Sequence, residues 1–282
     1  MTDFDAYLND FIDRCVKEDV GDGDHTSLSC IPADATGRAQ LIIKEDGVLA
    51  GVDVARKIFN HIDNGFSFEQ ILNDGDRVKK GDIAFRVQGR TQALLLAERL
   101  VLNVMQHMSG VATTTARYVA KLEGLHTQVI DTRKTTPGMR LLDKMAVKIG
   151  GGGNHRIGLF DMILLKDNHV DFAGGIDKAI NRAHDYLKQK GKDLKIEIEV
   201  RNFDELDQVL AIGGVDRIML DNFSPAQTRE AVAKIAGKFE TESSGGITMD
   251  TLRDYAECGV DFISVGALTH HVGSLDMSLK AY

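Results

Sequence analysis

KIEIEVRNFDELDQVLAIGGVDRIMLD, residues 195–221, reads as strand, helix and strand in one pass. KIEIEV (195–200) and RIMLD (217–221) are short runs rich in β-branched and apolar residues, the composition of strands. Between them Asn202 and Glu205 have the spacing of a capping box, and Gly213 falls where a helix should stop. The same unit recurs on both sides. TQVID (127–131), DMILLK (161–166), KFETES (238–243) and FISVG (262–266) supply four more strands. Ser224-Pro225 sets a cap residue before a first-turn proline, and Gly237 and Gly259 mark further helix ends. Strand–helix alternation at about 20–30 residues per unit implies a parallel sheet with crossover helices. Six strands, or seven, suit a barrel smaller than the eight-stranded form or an open doubly wound sheet. Polar residues follow nearly every strand, which favours the barrel, whose chemistry gathers at its C-terminal mouth.

Upstream of residue 127 the texture differs. Residues 4–17 read as an amphipathic helix, EDVGDGDHTS as a polar turn, Arg38 to Ile43 as a strand, Gly47 to Gly51 as a turn and Val52 to Ile62 as a helix. NDGDRVKKGDIAFRV places two Gly-Asp turns around short strands, a pattern of small sandwich domains. Lys79 and Lys80 lack the apolar flanks of a modifiable carrier lysine, so this hairpin is structural. Residues 91–121 have the apolar spacing of a long helix, with Arg99, Asn103 and Gln106 on one face.

Bulk properties narrow the class. The chain has 282 residues, 43% hydrophobic and 27% charged, with a net charge of -8. This is a globular composition, and its acidity argues against nonspecific nucleic-acid binding. The N-terminus, MTDFDAYLNDFIDRC, is not a signal peptide, and no run of about 18 apolar residues suggests a membrane span. Cys15, Cys30 and Cys258 are too scattered for a disulfide framework or a metal site. A cytoplasmic location is expected, with each cysteine a small buried hydrophobe.

Against that acidic background, residues 131–169 carry seven Lys/Arg and four Asp/Glu, a cationic island of net +3 around Gly150 to Gly153. Glycine-rich backbone beside clustered cations suits a small polyanion. The strand ends collect further polar groups. Asp131, Thr132, Arg133 and Lys134 follow the first strand, and Lys166, Asn168 and His169 the second. Glu199 and Arg201 end the third and Asp221 and Asn222 the fourth. Ser243 to Gly246 follow the fifth and Gly266 the sixth. In a parallel barrel these points converge. Arg133, Lys134, Arg156 and Lys166 suit carboxylates or phosphates. Glu199 and Asp221 could hold Mg²⁺ or ribose hydroxyls, or simply pair with the cations. SSGGI and VGA offer N–H groups of the kind that cradle phosphate at helix starts. His155, beside Arg156, reads as a ligand contact, whereas His169 is equally well structural. Neither histidine sits in a zinc-ligand pattern.

Taken together, DTRKTTPGMRLLDKMAVKIGGGGNHRIGLFDMILLKDNH, EIEV, LDN, ESSGGI and SVGALTH resemble the quinolinate phosphoribosyltransferase family. EDVGDGDHTS, EDGVLAG and AERLVLNVMQHMSG extend the likeness over nearly the whole chain. The resemblance implies an α/β fold: an N-terminal α/β sandwich (1–112, with the tail 272–282 packed back on it) and an incomplete, about seven-stranded TIM-like α/β barrel (113–271). It implies transfer of phosphoribosyl from phosphoribosyl pyrophosphate to quinolinate with Mg²⁺, releasing pyrophosphate and CO2 and leaving nicotinate mononucleotide. The positions that match the family's quinolinate contacts are Arg133, His155, Arg156 and Lys166. By the same resemblance, Lys134 matches a position near quinolinate and the sugar phosphates, Glu199 and Asp221 match carboxylates that hold ribose hydroxyls and Mg²⁺, and Ser244, Gly245 and Gly266 match the cradle of the 5′-phosphate. The resemblance further implies a homodimer or larger assembly in which Arg99 enters the neighbouring subunit's site. THHVGSLDMSL departs from the family's THSAPALDISL-like text, which leaves the role of residues beyond Gly266 open. The nearest rival within the scaffold is a phosphoribosyltransferase-like protein linked to molybdenum transport. Rivals of other kinds are a noncatalytic carrier or phosphate sensor and an aldolase-like barrel with a Schiff-base Lys166.

Overall fold

The computed structural model describes residues 4–282, so the first three positions of the N-terminal domain lie outside the description. The chain divides into two compact units. One comprises residues up to Ala116 together with Thr136–Gly151 and His271–Tyr282; the other comprises Arg117–Thr135 and Gly152–His270.

The first unit is built on an antiparallel sheet. Its strands are β1 (Thr36–Ile43), β3 (Ser67–Gln70), β5 (Ile83–Arg90) and the C-terminal β12 (Met277–Ala281), in the order β12-β1-β5-β3. The tail pairs Met277 with Ile43 and Ala281 with Ala39. A two-stranded pair, β2 (Gly47–Val48) and β4 (Arg77–Val78), stands beside it. Helix Val52–Ile62 has the expected bounds and buries Val52, Val54, Ala55, Ile58 and Phe59. Phe59 meets Phe66 and Phe85 edge-on at 5.1 and 6.1 Å, a favoured aromatic arrangement. The N-terminal helix runs on to Val20, past the expected end at residue 17.

The second unit is the barrel. Its strands are β6 (Gln128–Ile130), β7 (Ile163–Leu165), β8 (Ile196–Val200), β9 (Arg217–Asp221), β10 (Glu240–Ser244) and β11 (Phe262–Ser264), all within the segments read from the sequence or one residue beyond. They run parallel in the order β6-β11-β10-β9-β8-β7. Gly153 bridges Ile130 in parallel on the free side of β6, adding a seventh segment. The fold is α/β, a barrel one strand short of the common form with an N-terminal α/β sandwich.

Alternation along the strands sorts side chains between two cores. Ile196, Ile198, Val200, Ile218 and Leu220 pack outward against Ile180, Leu187, Leu206, Val209, Ala231 and Ile235 of the surrounding helices. Each such aliphatic side chain contributes roughly 1.5–3 kcal/mol when buried. Glu197 and Glu199 alternate with these residues and so face the barrel axis. The helices start as the caps require. Asn202 Oδ1 accepts from Glu205 N–H at 2.9 Å, while the Glu205 carboxylate reaches back to Arg201 N–H at 2.7 Å. Ser224 and Gln227 form the reciprocal box in front of Pro225.

Three expectations are corrected. Helix Pro225–Ile235 ends on Ala236, which takes the left-handed φ of 52° one residue before Gly237. Among the cysteines only Cys258 is buried; Cys15 is half-buried and Cys30 exposed, its thiol turned back to Thr26 O. SSGGI does not open a helix, because helix Leu252–Ala256 starts only after the Thr248–Thr251 turn.

Candidate active site

Parallel strands bring their C-terminal ends to one mouth, and the cavity lies there. It encloses about 180 Å³ and is lined by Thr132, Arg133, Lys134, His155, Arg156, Leu164, Lys166, Met219, Glu242, Ser244 and Ser264. All of these belong to the barrel unit. Seven of them are residues named from the sequence. Leu164 and Met219 add an apolar wall, as a flat organic ring requires.

Lys134, Arg156 and Lys166 are held by local structure. Thr132 Oγ1 accepts from Lys134 N–H at 3.0 Å and Thr269 Oγ1 donates to Lys134 O at 2.8 Å, pinning the loop after β6. Asp131, fully buried, accepts from His155 N–H at 2.9 Å and Asn154 Nδ2 at 2.6 Å. It ties the end of the glycine run to the end of β6. The Arg156 backbone N–H donates to His155 Nδ1 at 2.7 Å, and its guanidinium to Met162 O at 3.2 Å. Burial, with the positive charge of Arg133 adding, pushes the Arg156 guanidinium below its ordinary value. Two like charges sharing a pocket in this way call for an anion between them. Lys166 Nζ lies 2.7 Å from Glu199 Oε2, so Glu199 pairs with one of the pocket's cations. His169 accepts from Lys166 N–H through Nδ1 at 3.0 Å, so it serves the entry of helix Asp167–Ala173.

The remaining named residues are not among those lining the cavity. Asp221 is opposite Ser244 in the β9–β10 register and accepts from Asn222 Nδ2 at 2.7 Å. Gly245 has φ +101°, and a Cβ there would stand 2.2 Å from Asn222 Oδ1. A Cβ on Gly266 would come within 3.1 Å of Lys134 Cδ, so this glycine lets the lysine stem pass. Arg99 is exposed on helix Thr91–Lys121 and belongs to the other unit.

Beneath the cations lies a buried acidic layer that reading the strand ends alone had missed. Glu197 and Glu242 are both 0% exposed. His155 Nε2 stands 2.9 Å from Glu197 Oε2 and 3.6 Å from Glu242 Oε2. Arg217 reaches Glu242 at 2.9 Å and Glu240 at 3.1 Å, its guanidinium 3.9 Å from the Phe262 ring centre. Burial raises the Glu197 carboxyl above its ordinary range. Burial and the neighbouring Glu197 push Glu242 up to about 7. The signal was present in IEIEV and ETESS, whose period of two sends Glu197 and Glu242 inward.

The chain matches two family models, quinolinate phosphoribosyl transferase N-terminal domain over residues 24–109 and C-terminal domain over residues 111–280. A Nicotiana tabacum protein named quinolinate phosphoribosyltransferase (decarboxylating) 1b is 44% identical over 289 residues, 97% of this chain and 82% of the relative. An Arabidopsis thaliana protein named nicotinate-nucleotide pyrophosphorylase (carboxylating), chloroplastic, is 43% identical over 288 residues, with the same coverages of 97% and 82%. The crystal structure of NadC from Streptococcus pyogenes superposes with a TM-score of 0.91 at 38% identity, covering 100% of this chain and 99% of that one.

Proposed function

This chain belongs to the quinolinate phosphoribosyltransferase family, and on that premise we propose that its barrel pocket grips quinolinate beside phosphoribosyl pyrophosphate. The enzyme transfers the phosphoribosyl group to quinolinate with decarboxylation, giving nicotinate mononucleotide, pyrophosphate and CO2, a step of NAD biosynthesis. The observation that carries this assignment of the pocket is the convergence of Arg133, Lys134, Arg156 and Lys166 on one small cavity with an apolar wall.

Quinolinate is a flat pyridine with two adjacent carboxylates. Arg133, Arg156 and Lys166 take the carboxylates, with His155 at the wall beside them. Leu164 and Met219 lie against the ring. Lys134 and the Ser244–Gly245 turn face the sugar phosphates, and Gly266 keeps the space around Lys134 open. Ribosyl transfer builds positive charge at the anomeric carbon, so the pocket acts by alignment and by preorganised charge. Once its nitrogen is ribosylated, the ring is a pyridinium, and the electron pair left when CO2 departs from C2 is stabilised there. No enzyme nucleophile is required.

Glu199 and Asp221 would hold Mg²⁺. Both sit on inward positions of adjacent strands and offer only carboxylate oxygens, the donor set of a hard ion. When bound, the ion neutralises charge on the departing pyrophosphate. The protein works as a homodimer or larger assembly, in which the exposed Arg99 reaches a neighbouring site. It acts in the cytoplasm; no helix among the described residues is long and apolar enough to cross a membrane.

Incubation with quinolinate, phosphoribosyl pyrophosphate and Mg²⁺ should release CO2 and nucleotide in equal amounts, and nicotinate should not replace quinolinate. Absence of CO2, or equal use of nicotinate, would overturn the assignment.

A further inference from the structure

We infer that Asn222 is a positioning residue: it ties the Asp221 carboxylate to the Ser244–Gly245 turn, so that the two meet phosphoribosyl pyrophosphate as one rigid surface. The inference rests on the proposed reading for what Asp221 and the turn bind, and on the geometry of strands β9 and β10 for the rest.

Asn222 has a φ of 57°, in the left-handed region that residues with a Cβ seldom enter. Among the described residues only one other non-glycine, Ala236, does so, and it ends a helix, where that conformation is common. Asn222 instead follows directly on β9, at the C-terminal end of a parallel strand. Such an outlier costs free energy and persists where its surroundings hold it. The Asn222 backbone N–H donates to Ser244 O at 2.9 Å, one step beyond the Asp221–Ser244 pairing that closes the β9–β10 ladder. Its Nδ2 donates to Asp221 Oδ2 at 2.7 Å. Its carboxamide lies against Gly245: a Cβ there would stand 2.2 Å from Asn222 Oδ1, 2.6 Å from its Cγ and 3.0 Å from its backbone nitrogen. Asparagine suits this place because it tolerates the left-handed conformation and carries an amide donor.

With Nδ2 on Oδ2 the Asp221 carboxylate does not rotate freely, and Oδ1 remains for a ribose hydroxyl or for Mg²⁺. On its other side the carboxamide backs Gly245, whose φ of +101° sets the course of the turn. One side chain thus sets the spacing between a carboxylate and a phosphate-cradling turn, the two features that a single substrate must span. Asn222 is exposed and Asp221 half-buried. Water therefore competes for the amide–carboxylate bond in the open mouth, and the bond adds little to folding. A phosphorylated ligand seated there displaces that water and strengthens the bond. The effect of Asn222 falls on binding rather than on stability.

Calorimetric titration of the full-length enzyme tests this. Phthalate, a benzene ring with two adjacent carboxylates and no ring nitrogen, fills the quinolinate place without reacting. Phosphoribosyl pyrophosphate with Mg²⁺ is then titrated in. Asn222→Gly suits the left-handed backbone and removes only the carboxamide. It should leave the Tm within about 3 °C of wild type and the phthalate Kd within about twofold. The phosphoribosyl pyrophosphate Kd should rise about tenfold or more, the usual worth of a hydrogen bond to a charged group. Asn222→Asp also tolerates this backbone and keeps the side-chain shape, but sets a like charge against Asp221 in place of the donor. It should weaken phosphoribosyl pyrophosphate binding at least as much. A wild-type phosphoribosyl pyrophosphate Kd in either variant would overturn the inference. So would a parallel loss of both ligands with a fallen Tm, or failure of both variants to fold, since either result marks a residue that serves the fold alone. Where only Asn222→Gly fails to fold, Asn222→Asp decides. No turnover is involved: a wild type that binds neither ligand overturns the activity reading and the inference with it, whereas a wild type that binds both beside an unaffected variant overturns only the role of Asn222.

Discussion

Glu242→Gln should flatten the dependence of stability on pH. Burial pushes the Glu242 carboxyl up, like-charged Glu197 adds to the rise, and His155 and Arg217 pull it back only in part, leaving it at about 7 against an ordinary 4.5. At about 1.36 kcal/mol per pH unit, that difference is worth roughly 3 kcal/mol. The folded protein keeps the proton in a range where the unfolded chain has lost it. The stability from this proton is complete below about pH 4.5 and is lost as the pH rises through about 7. Between pH 5.5 and 8.5 the linkage relation gives a loss of about 2 kcal/mol for the wild type. Glutamine is neutral throughout and shows no such loss. Glu197 is raised as well, so the two carboxyls titrate as a coupled pair, and the difference between the two proteins reads the Glu242 share. Urea unfolding followed by far-UV circular dichroism at the two pH values measures it, and groups common to both proteins cancel. Parallel pH profiles for wild type and Glu242→Gln would refute the reasoning.

Three further outcomes are expected. Arg133→Ala and Lys166→Ala should keep the wild-type circular dichroism spectrum but lose about 10²-fold or more in kcat/KM for quinolinate, because a carboxylate is left poorly paired in the cavity; wild-type kinetics in either variant would remove that residue from the site. Gly245→Ala should lose roughly 1–3 kcal/mol of stability and raise the phosphoribosyl pyrophosphate KM, since its φ is +101° and its Cβ would strike Asn222 Oδ1 at 2.2 Å; an unchanged Tm and KM would refute this. Chelation of divalent ions should abolish turnover, and added Mg²⁺ should restore it, whereas full turnover in excess chelator would remove the metal role of Glu199 and Asp221.

The strand–helix succession was legible in the residues because it is a local property. Period-two alternation in IEIEV, the Asn202 and Ser224 caps and the glycine stops act within a few residues of where they are written, so no distant contact is needed to read them. The same locality, joined to the rule that parallel strands share a mouth, was enough to name Thr132, Arg133, Lys134, His155, Arg156, Lys166 and Ser244, all of which line the cavity. Which partner each group meets was not local. Glu199 is read equally well as a metal ligand or a salt-bridge partner until Lys166 is seen 2.7 Å away from it, 33 positions off in sequence. The left-handed Ala236 runs against the preference for glycine at such a position, and residue preferences alone pointed to Gly237. Glu197 and Glu242 lie 45 residues apart and come together with His155 only because the barrel closes their strands around one axis. The sequence by itself determined the order of the elements and the sign of the charge they present, since propensity, capping and period are short-range. The tertiary structure alone decided the buried acidic layer and the pairing of Lys166, because desolvation and hydrogen-bond geometry depend on neighbours that only folding supplies.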